Sequence, residues 1–346
     1  MSAPRIRVGV IGAGANTRAK HLPLLQRIDG VEVVAVANRT RESGERVARE
    51  FGLERVEDDA FAVIGAADLD AVVIGTWPYL HAELTIAALR AGKHVLTEAR
   101  MARDLIEARL MLSEELQHPK LVAQIVPAPF SLPFDATVVE WLDERRLGDI
   151  REVHATCTHG ALAGAAVPFT WRQDHELSGK NTLFLGIYYE MVRRWMRRDP
   201  VSVVADAAVF TPKRRSPEGE TRDVLIPESV TVLGKYADGA RLVLHCSGVE
   251  TSAPRNEIRV NGSLGALRAD FAANELWFAP AGQAEQRVEI APEKRGEWRV
   301  EEDFIDSIRR GTPVRLTDFA TGVRYMAFTE AVWDSWSHGG RRVAMP

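Results

Sequence analysis

Gly12 and Gly14 lie in the stretch VGVIGAGANT (8–17), directly after an apolar β-branched run and directly before a helix-like segment. Glycines at such a junction permit a tight turn, and backbone N–H groups there can approach a pyrophosphate at the helix N-terminus. With Ala15 and Asn16 they form a candidate dinucleotide-binding turn, although Thr17 replaces the third glycine of G-x-G-x-x-G. The second strand-like run ends VANRTRE (36–42), with Asn38 and Arg39 where a carboxylate would read the 2′-hydroxyl of NAD. Without that carboxylate a 2′-phosphate is not repelled, and Arg39 can pair with it. NAD or NADP is therefore the expected cofactor, with the balance towards NADP.

Other stretches offer polar groups at the ends of strand-like runs. HVLTEARM (94–101) leaves an apolar run at Glu98-Ala99-Arg100, and TWPYLH (76–81) does the same at Thr76. Thr76, Trp77, His81 and Glu98 are thus candidate cofactor contacts, with Tyr79 a further candidate to stack beside the cofactor. His81 is also expected to cap the helix that follows. The segment FTWRQDHELSGKN (169–181) concentrates Arg172, Asp174, His175 and Lys180, which could hold an anionic or polyhydroxylated substrate. Phe184 and Tyr188 are four apart and share a helix face; with Tyr189 they are candidate substrate contacts. Glu190 and Arg194 have the spacing of a solvent-facing pair, and RRWMRR (193–198) that of a solvated face. Cys157 and His159 share a strand face but lack partners at ligand spacing, so no metal site is expected.

These residues need a scaffold, and the first 125 residues supply an alternating one. Strand-like runs at Ile6–Ile11, Val31–Ala37, Ala71–Gly75, His94–Thr97 and Leu121–Val126 alternate with helix-like runs at Ala15–Ile28, Arg41–Phe51, His81–Ala91 and Met101–Leu116. Such alternation predicts βαβ units around a parallel sheet. Three prolines in VPAPFSLP (126–133) punctuate the chain. Beyond them come a helix at Asp135–Arg145, a strand at Ile150–Thr158 and a helix at Asn181–Arg197. Strands with turn signals then run from about 202 to 290, and helices at Glu297–Arg310 and Asp318–His338 follow. The expected class is α/β: an N-terminal Rossmann domain (1–126) and a C-terminal α/β domain (127–346) with a large, mainly antiparallel open sheet. The last helices are expected to be able to pack back towards the first domain.

Bulk properties agree with this reading. The chain has 346 residues, enough for two cores, and is 46% hydrophobic and 27% charged. A net charge of −4 gives no footprint for nucleic acid or an anionic membrane. Two cysteines fit a reducing compartment. The N-terminal run shows no signal-peptide pattern, and no apolar span reaches 20 residues. A cytoplasmic location is expected, with a small-molecule substrate as partner.

At this point the chain resembles the Gfo/Idh/MocA oxidoreductases, which act largely on sugars and polyols. The resemblance is carried by VGVIGAGANTRAKHLP (8–23), AVVIGTWPYLHAELTIAALRAGKHVLTEARMA (71–102), SGKNTLFLGIYYE (178–190), LGDI (147–150) and FIDSIRRGTPVRLTDFATGVRYM (304–326). It implies a Rossmann domain, an α/β domain with an open sheet, and a substrate pocket between them. It further implies a homodimer or homotetramer assembled through the C-terminal sheet, whose apolar face would otherwise be exposed.

The chain departs from the family's pattern at its catalytic positions. Glu98-Ala99-Arg100 stands where relatives carry Glu-Lys-Pro, and Phe184 and Tyr188 stand where they carry Asp and His. His21 falls one residue later than the common spacing. Tyr188 is then the natural acid–base group, provided that Arg100, Lys180 or Arg172 lowers its pKa from roughly 10. Three activities fit: NAD(P)-dependent oxidoreduction of a sugar-like or cyclic polyol substrate with non-standard acid–base residues, redox-neutral sugar processing through transient oxidation, or non-catalytic sensing of a dinucleotide or sugar.

Overall fold

The computed structural model describes residues 5–345. The chain divides into two compact units, one formed by residues up to Pro127 with Arg299–Arg324, the other by Ala128–Trp298 with the residues from Tyr325 onwards.

The first unit is built on a six-stranded sheet: β1 (Ile6–Ile11), β2 (Val31–Ala37), β3 (Arg55–Val56), β4 (Ala71–Ile74), β5 (His94–Thr97) and β6 (Ala123–Ile125). All neighbours are parallel and the order is β3-β2-β1-β4-β5-β6. β4 is buried along its whole length, as expected of a central parallel strand covered on both faces. The order reverses between β1 and β4, so the loops that follow these two strands flank the crevice where such sheets bind ligands. β3 and the short helix Ala60–Gly65 went unread in the sequence, because two residues and one and a half turns carry little periodicity. The helix expected from Met101 begins at Leu105, where Asp104 caps it by accepting from the Glu107 N–H at 2.9 Å. Helix Val300–Arg310 belongs to this unit, and Gln124 donates to the Val300 carbonyl at 3.0 Å.

The second unit carries β7 (Ile150–Thr158), β8 (Ser202–Ala208), β9 (Lys213–Arg215), β10 (Thr221–Asp223), β11 (Ser229–Lys235), β12 (Arg241–Ser247), β13 (Arg255–Gly262), β14 (Gly265–Asp270), β15 (Glu275–Pro280), β16 (Gln286–Val288) and β17 (Val343–Ala344). Nine of them form one sheet, β16-β15-β14-β13-β7-β12-β11-β8-β17, in which only β7 and β12 pair in parallel. β9 and β10 form a separate antiparallel pair.

Alternation decides the two faces of the large sheet. Val153, Ala155, Cys157, Leu242, Leu244, Cys246, Ile258 and Val260 point inward and are buried, with helix Leu185–Met196 packed over β7 and β12. The outward face is not the large apolar surface expected. His154 pairs with Glu152 at 3.1 Å, Arg259 with Glu257 at 2.8 Å, and Arg268 with Glu285 at 3.0 Å. Val204, Leu233 and Val243 form a short apolar row across this face, and Trp277 lies opposite Arg268.

Candidate functional site

At the end of β1, Gly12 takes φ +81°, and a Cβ there would lie 2.7 Å from the Thr76 methyl and 2.8 Å from its amide nitrogen. Glycine is required at this turn. Gly14, Ala15 and Asn16 follow on an exposed edge, and a Cβ on Gly14 would meet nothing closer than 3.9 Å. The missing third glycine has a structural counterpart on the neighbouring strand. Thr17 is buried, and its hydroxyl oxygen lies 2.2 Å from where a Cβ on Gly75 would stand. Close packing between turn and strand is thus secured by removing the side chain from Gly75 instead.

Asn38 braces this turn rather than pointing outward. Its Oδ1 accepts from the Ala13 N–H at 2.7 Å, and its Nδ2 donates to Ser43 Oγ at 3.0 Å. Arg39 is exposed, with its guanidinium 5.7 Å from the Trp77 ring centroid. Arg41, by contrast, is held by Glu45 and Asp58. A cradle that a Cβ would fill, an open glycine edge and a nearby exposed arginine together fit a dinucleotide.

The extra residue before His21 is absorbed by a five-residue π-turn, Thr17–His21, in which the Leu22 N–H donates to the Thr17 carbonyl. Such one-turn insertions shift helix phase locally. His21 is thereby buried between two carboxylates, with Nδ1 2.5 Å from Glu301 Oε1 and Nε2 3.0 Å from Glu98 Oε1. Burial opposes a charge there, but the hydrogen bonds and charges of Glu301 and Glu98 outweigh it and raise the His21 pKa to about 9. The imidazolium donates to both. Burial likewise works to raise Glu98, yet His21 and the Asn16 amide hold it below the usual carboxylate range. Asn16 donates to Glu98 Oε1, so the end of β5 is tied directly to the glycine turn. The His21–Glu301 bond was not legible in sequence, since the partners are 280 residues apart.

His81 is fully buried, and its ring nitrogens lie 2.9 Å from the carbonyls of Arg100 and Thr76. It is the first residue of helix His81–Arg90 and makes no side-chain cap. Its role is therefore to clamp the ends of β4 and β5, in place of the expected cap and cofactor contact. Burial lowers its pKa. Arg100 is only 8% exposed, which departs from an open, substrate-facing cation.

In the second unit Tyr188 is 1% exposed, and its hydroxyl donates to Asn256 Oδ1 at 3.3 Å. Burial, followed by the adjoining Cys157 thiol, pushes its pKa up, the reverse of the lowering expected. Lys180 is committed to Glu330 and Arg172 lies over the Trp171 ring at 4.3 Å. Asp174 caps a short helix, accepting from Glu176 N at 2.9 Å, and also meets Arg222 at 3.2 Å. His175 packs 5.3 Å from Trp333. Tyr189 is a core residue: it is fully buried, stacks on Phe328 at 3.6 Å and donates to Asp199 at 2.6 Å. A direct substrate contact is excluded for it in this conformation. Phe184 is 37% exposed.

The Glu190–Arg194 pair is present at 2.7 Å, but Glu190 is buried and Arg194 half-buried, so the pair is not solvent-facing. Arg194 also reaches Asp135 at 2.8 Å, and the Glu190 carboxylate accepts from the Ala128 N–H at 3.1 Å. No sequence pattern signals the buried Arg214. Arg214 pairs with Glu228 at 2.7 Å and donates to the carbonyls of Leu162, Gly164 and Val167, strapping the loop that precedes FTWRQDHELSGKN. A cavity of about 340 Å³, bordered by Phe134, Leu276, Arg287 and Arg295, includes none of the residues expected from sequence. Among the described residues, no helix is long and apolar enough to cross a membrane.

Residues 6–124 match the family described as "Oxidoreductase family, NAD-binding Rossmann fold", and residues 136–268 match the Gfo/Idh/MocA C-terminal domain. Inositol 2-dehydrogenase 1 of Saccharopolyspora erythraea is 29% identical over 339 residues, spanning 90% of this chain and 96% of that protein. The 4-carboxy-2-hydroxymuconate-6-semialdehyde dehydrogenase of a Sphingobium species is 35% identical over 120 residues, and the match spans only 38% of its length. A levoglucosan dehydrogenase solved with NADH and L-sorbose superposes with a TM-score of 0.87 at 22% identity, over 99% of each chain; that likeness concerns the fold. With both domain matches in chain order over a 3-2-1-4-5-6 parallel sheet and its glycine turn, the chain belongs to the Gfo/Idh/MocA family of NAD(P)-dependent oxidoreductases.

Proposed function

We propose that the chain transfers a hydride between a nicotinamide cofactor and a CH–OH group of a sugar-like or cyclic polyol substrate, using acid–base residues unlike those usual in its family. The observation that supports this reading is the glycine turn after β1, tight at Gly12 and open at Gly14, whose edge is braced by Asn38 and Glu98. The named relatives act on inositol and on a semialdehyde, and the superposed dehydrogenase was solved with NADH and a sugar. The nicotinamide, when bound, supplies the hydride acceptor or donor. Gly12, Gly14, Ala15 and Asn16 would line the pyrophosphate, Thr76 and Trp77 the crevice wall, and Arg39 the adenosine 2′-position, which favours NADP. Glu98, ionised and anchored by His21, orients the turn.

Tyr188 stays protonated, so its part is to turn its hydrogen bond from Asn256 to the reacting substrate oxygen, and neither to abstract nor to release a proton. Arg172 and His175 remain candidate substrate contacts. The engagement of Lys180 by Glu330 also suits a sensor that binds its ligands without turnover. Calorimetry with NADP(H) and NAD(H) tests the central reading: binding is expected, tighter for NADP(H), and Arg39→Asp should reverse that order. Absence of binding by either cofactor removes the proposal. Tyr188→Phe should reduce turnover with cofactor affinity retained, and full turnover would dismiss Tyr188 alone.

A further inference from the structure

Four aromatic rings converge where helix Leu185–Met196 starts over the inward face of the large sheet. Phe130 lies 6.3 Å from Phe184, from Tyr188 and from Phe271, while Tyr188 lies 5.8 Å from Phe271. His159, just past the end of β7, meets Phe184 edge-on at 6.3 Å. Two of these rings are anchored from below. Tyr188 is buried and tied to Asn256, and Phe134, also buried, supports Phe271 at 6.3 Å. Phe130 and Phe184 are nevertheless 40% and 37% exposed. Leu183, immediately before Phe184, holds φ +48°, a backbone conformation that L side chains seldom adopt.

The chemistry of this wall differs from that implied by the family resemblance. Positions 184 and 188, where relatives carry a carboxylate and an imidazole, present an apolar ring and a phenol whose hydroxyl already has a partner. Substrate hydroxyls brought against such rings lose water without gaining a partner, which is unfavourable. A hydrocarbon face loses nothing and gains from contact with the aromatic faces. The exposed part of two phenyl rings is on the order of 10² Å², far below the ~800 Å² per partner of a stable protein interface. The occupant is therefore small.

We propose that Phe130, Phe184, Tyr188 and Phe271, with His159 at their edge, form a recognition wall for a sugar-like cyclic alcohol or ketone that presents one unsubstituted hydrocarbon ring face, and select against rings hydroxylated on both faces. This rests on the oxidoreductase reading for its reaction, but not for its binding. The wall belongs to the second unit alone, so it can be probed separately from the glycine turn.

The test compares cyclohexanol with myo-inositol as substrates of the full chain with NADP or NAD. Cyclohexanol should have the higher kcat/KM by at least ~10-fold, and Phe130→Ala or Phe184→Ala should raise its KM by about tenfold. Neither change should alter NADPH affinity. The double change Phe184→Asp/Tyr188→His should move preference towards myo-inositol. Equal or better use of myo-inositol by the natural sequence, or an unchanged KM in both alanine variants, overturns the proposal. If neither alcohol is oxidised, saturation-transfer NMR with cyclohexanone on the NADPH-loaded protein decides. Binding that is lost in Phe184→Ala sustains the wall while the oxidoreductase reading fails; no binding overturns the wall.

Discussion

At the scale of single residues, the decisive arrangement is an imidazolium held between two carboxylates. Glu98 alone would be an isolated, half-buried charge at a strand end; His21 neutralises it, and Glu301 raises the affinity of His21 for its proton. The pH consequence has a definite sign. A histidine whose pKa rises from 6.5 unfolded to about 9 folded contributes its stabilisation fully below pH 6.5. That contribution is lost as pH climbs through 9. A shift of that size corresponds to at most about 3 kcal/mol. Urea unfolding of the natural sequence should therefore show stability falling between neutral and alkaline pH. In Glu301→Gln the fall should be smaller and should end at a lower pH, because one of the two partners that raise the folded-state pKa of His21 has lost its charge while the unfolded value is unchanged. A profile identical in both proteins would show that Glu301 does not set the charge on His21.

At the scale of elements, buried Arg214 holds a loop by its backbone. Arg214 sits inside the second unit and gives donors to Glu228 and to three carbonyls of the 162–167 loop. Glu228 also accepts from the Phe210 and Thr211 N–H groups at 2.8 Å, so the strap joins three chain segments. Arg214→Met would strand a buried carboxylate, at a cost of about 3–5 kcal/mol. Urea denaturation should report that loss, and hydrogen exchange should show reduced protection at Leu162 and Phe169, whose N–H groups bond to Gly248 and Arg215 at 2.7 Å. Unchanged protection would reduce Arg214 to an ordinary ion pair. The strap was illegible because β9, which carries Arg214, and the bend before β11, which carries Glu228, give no sign in sequence of which loop they meet. The π-turn at Thr17–His21 was half legible: the late histidine signalled an insertion, and the structure supplied its form.

At the scale of the whole molecule, the two domain matches carry the family assignment, the order of the strands agrees with it, and the character of the sheet bears on assembly. The outward face of the large sheet displays Glu152, His154, Glu257, Arg259 and Arg268 in close pairs. A dimer or tetramer formed through that face, as the family resemblance implies, would be held by charge complementarity more than by apolar burial. Exposed charge pairs are weakened by salt. Sedimentation equilibrium should therefore show association decreasing from low to high ionic strength. Salt-insensitive association would place the interface on another surface.

Local sequence determined the parts that depend on neighbours along the chain. Alternating apolar runs dictated the parallel sheet, and Gly12 and Gly14 dictated the turn, because backbone conformation and two-sided burial are written in consecutive residues. The same is true of the pairing of Glu190 with Arg194, which helical spacing alone makes possible. Tertiary structure decided everything that depends on distant segments. It placed Glu190 inside, drew Tyr189 into the core, let Gly75 stand in for a missing glycine, and gathered Phe130, Phe184 and Phe271 onto one wall. Burial and charge pairing then fixed which groups ionise: His21 gains a proton that two carboxylates hold, and Tyr188 keeps one that burial will not release. Those outcomes follow from the dielectric and the partners that folding supplies, neither of which is a property of the residue itself.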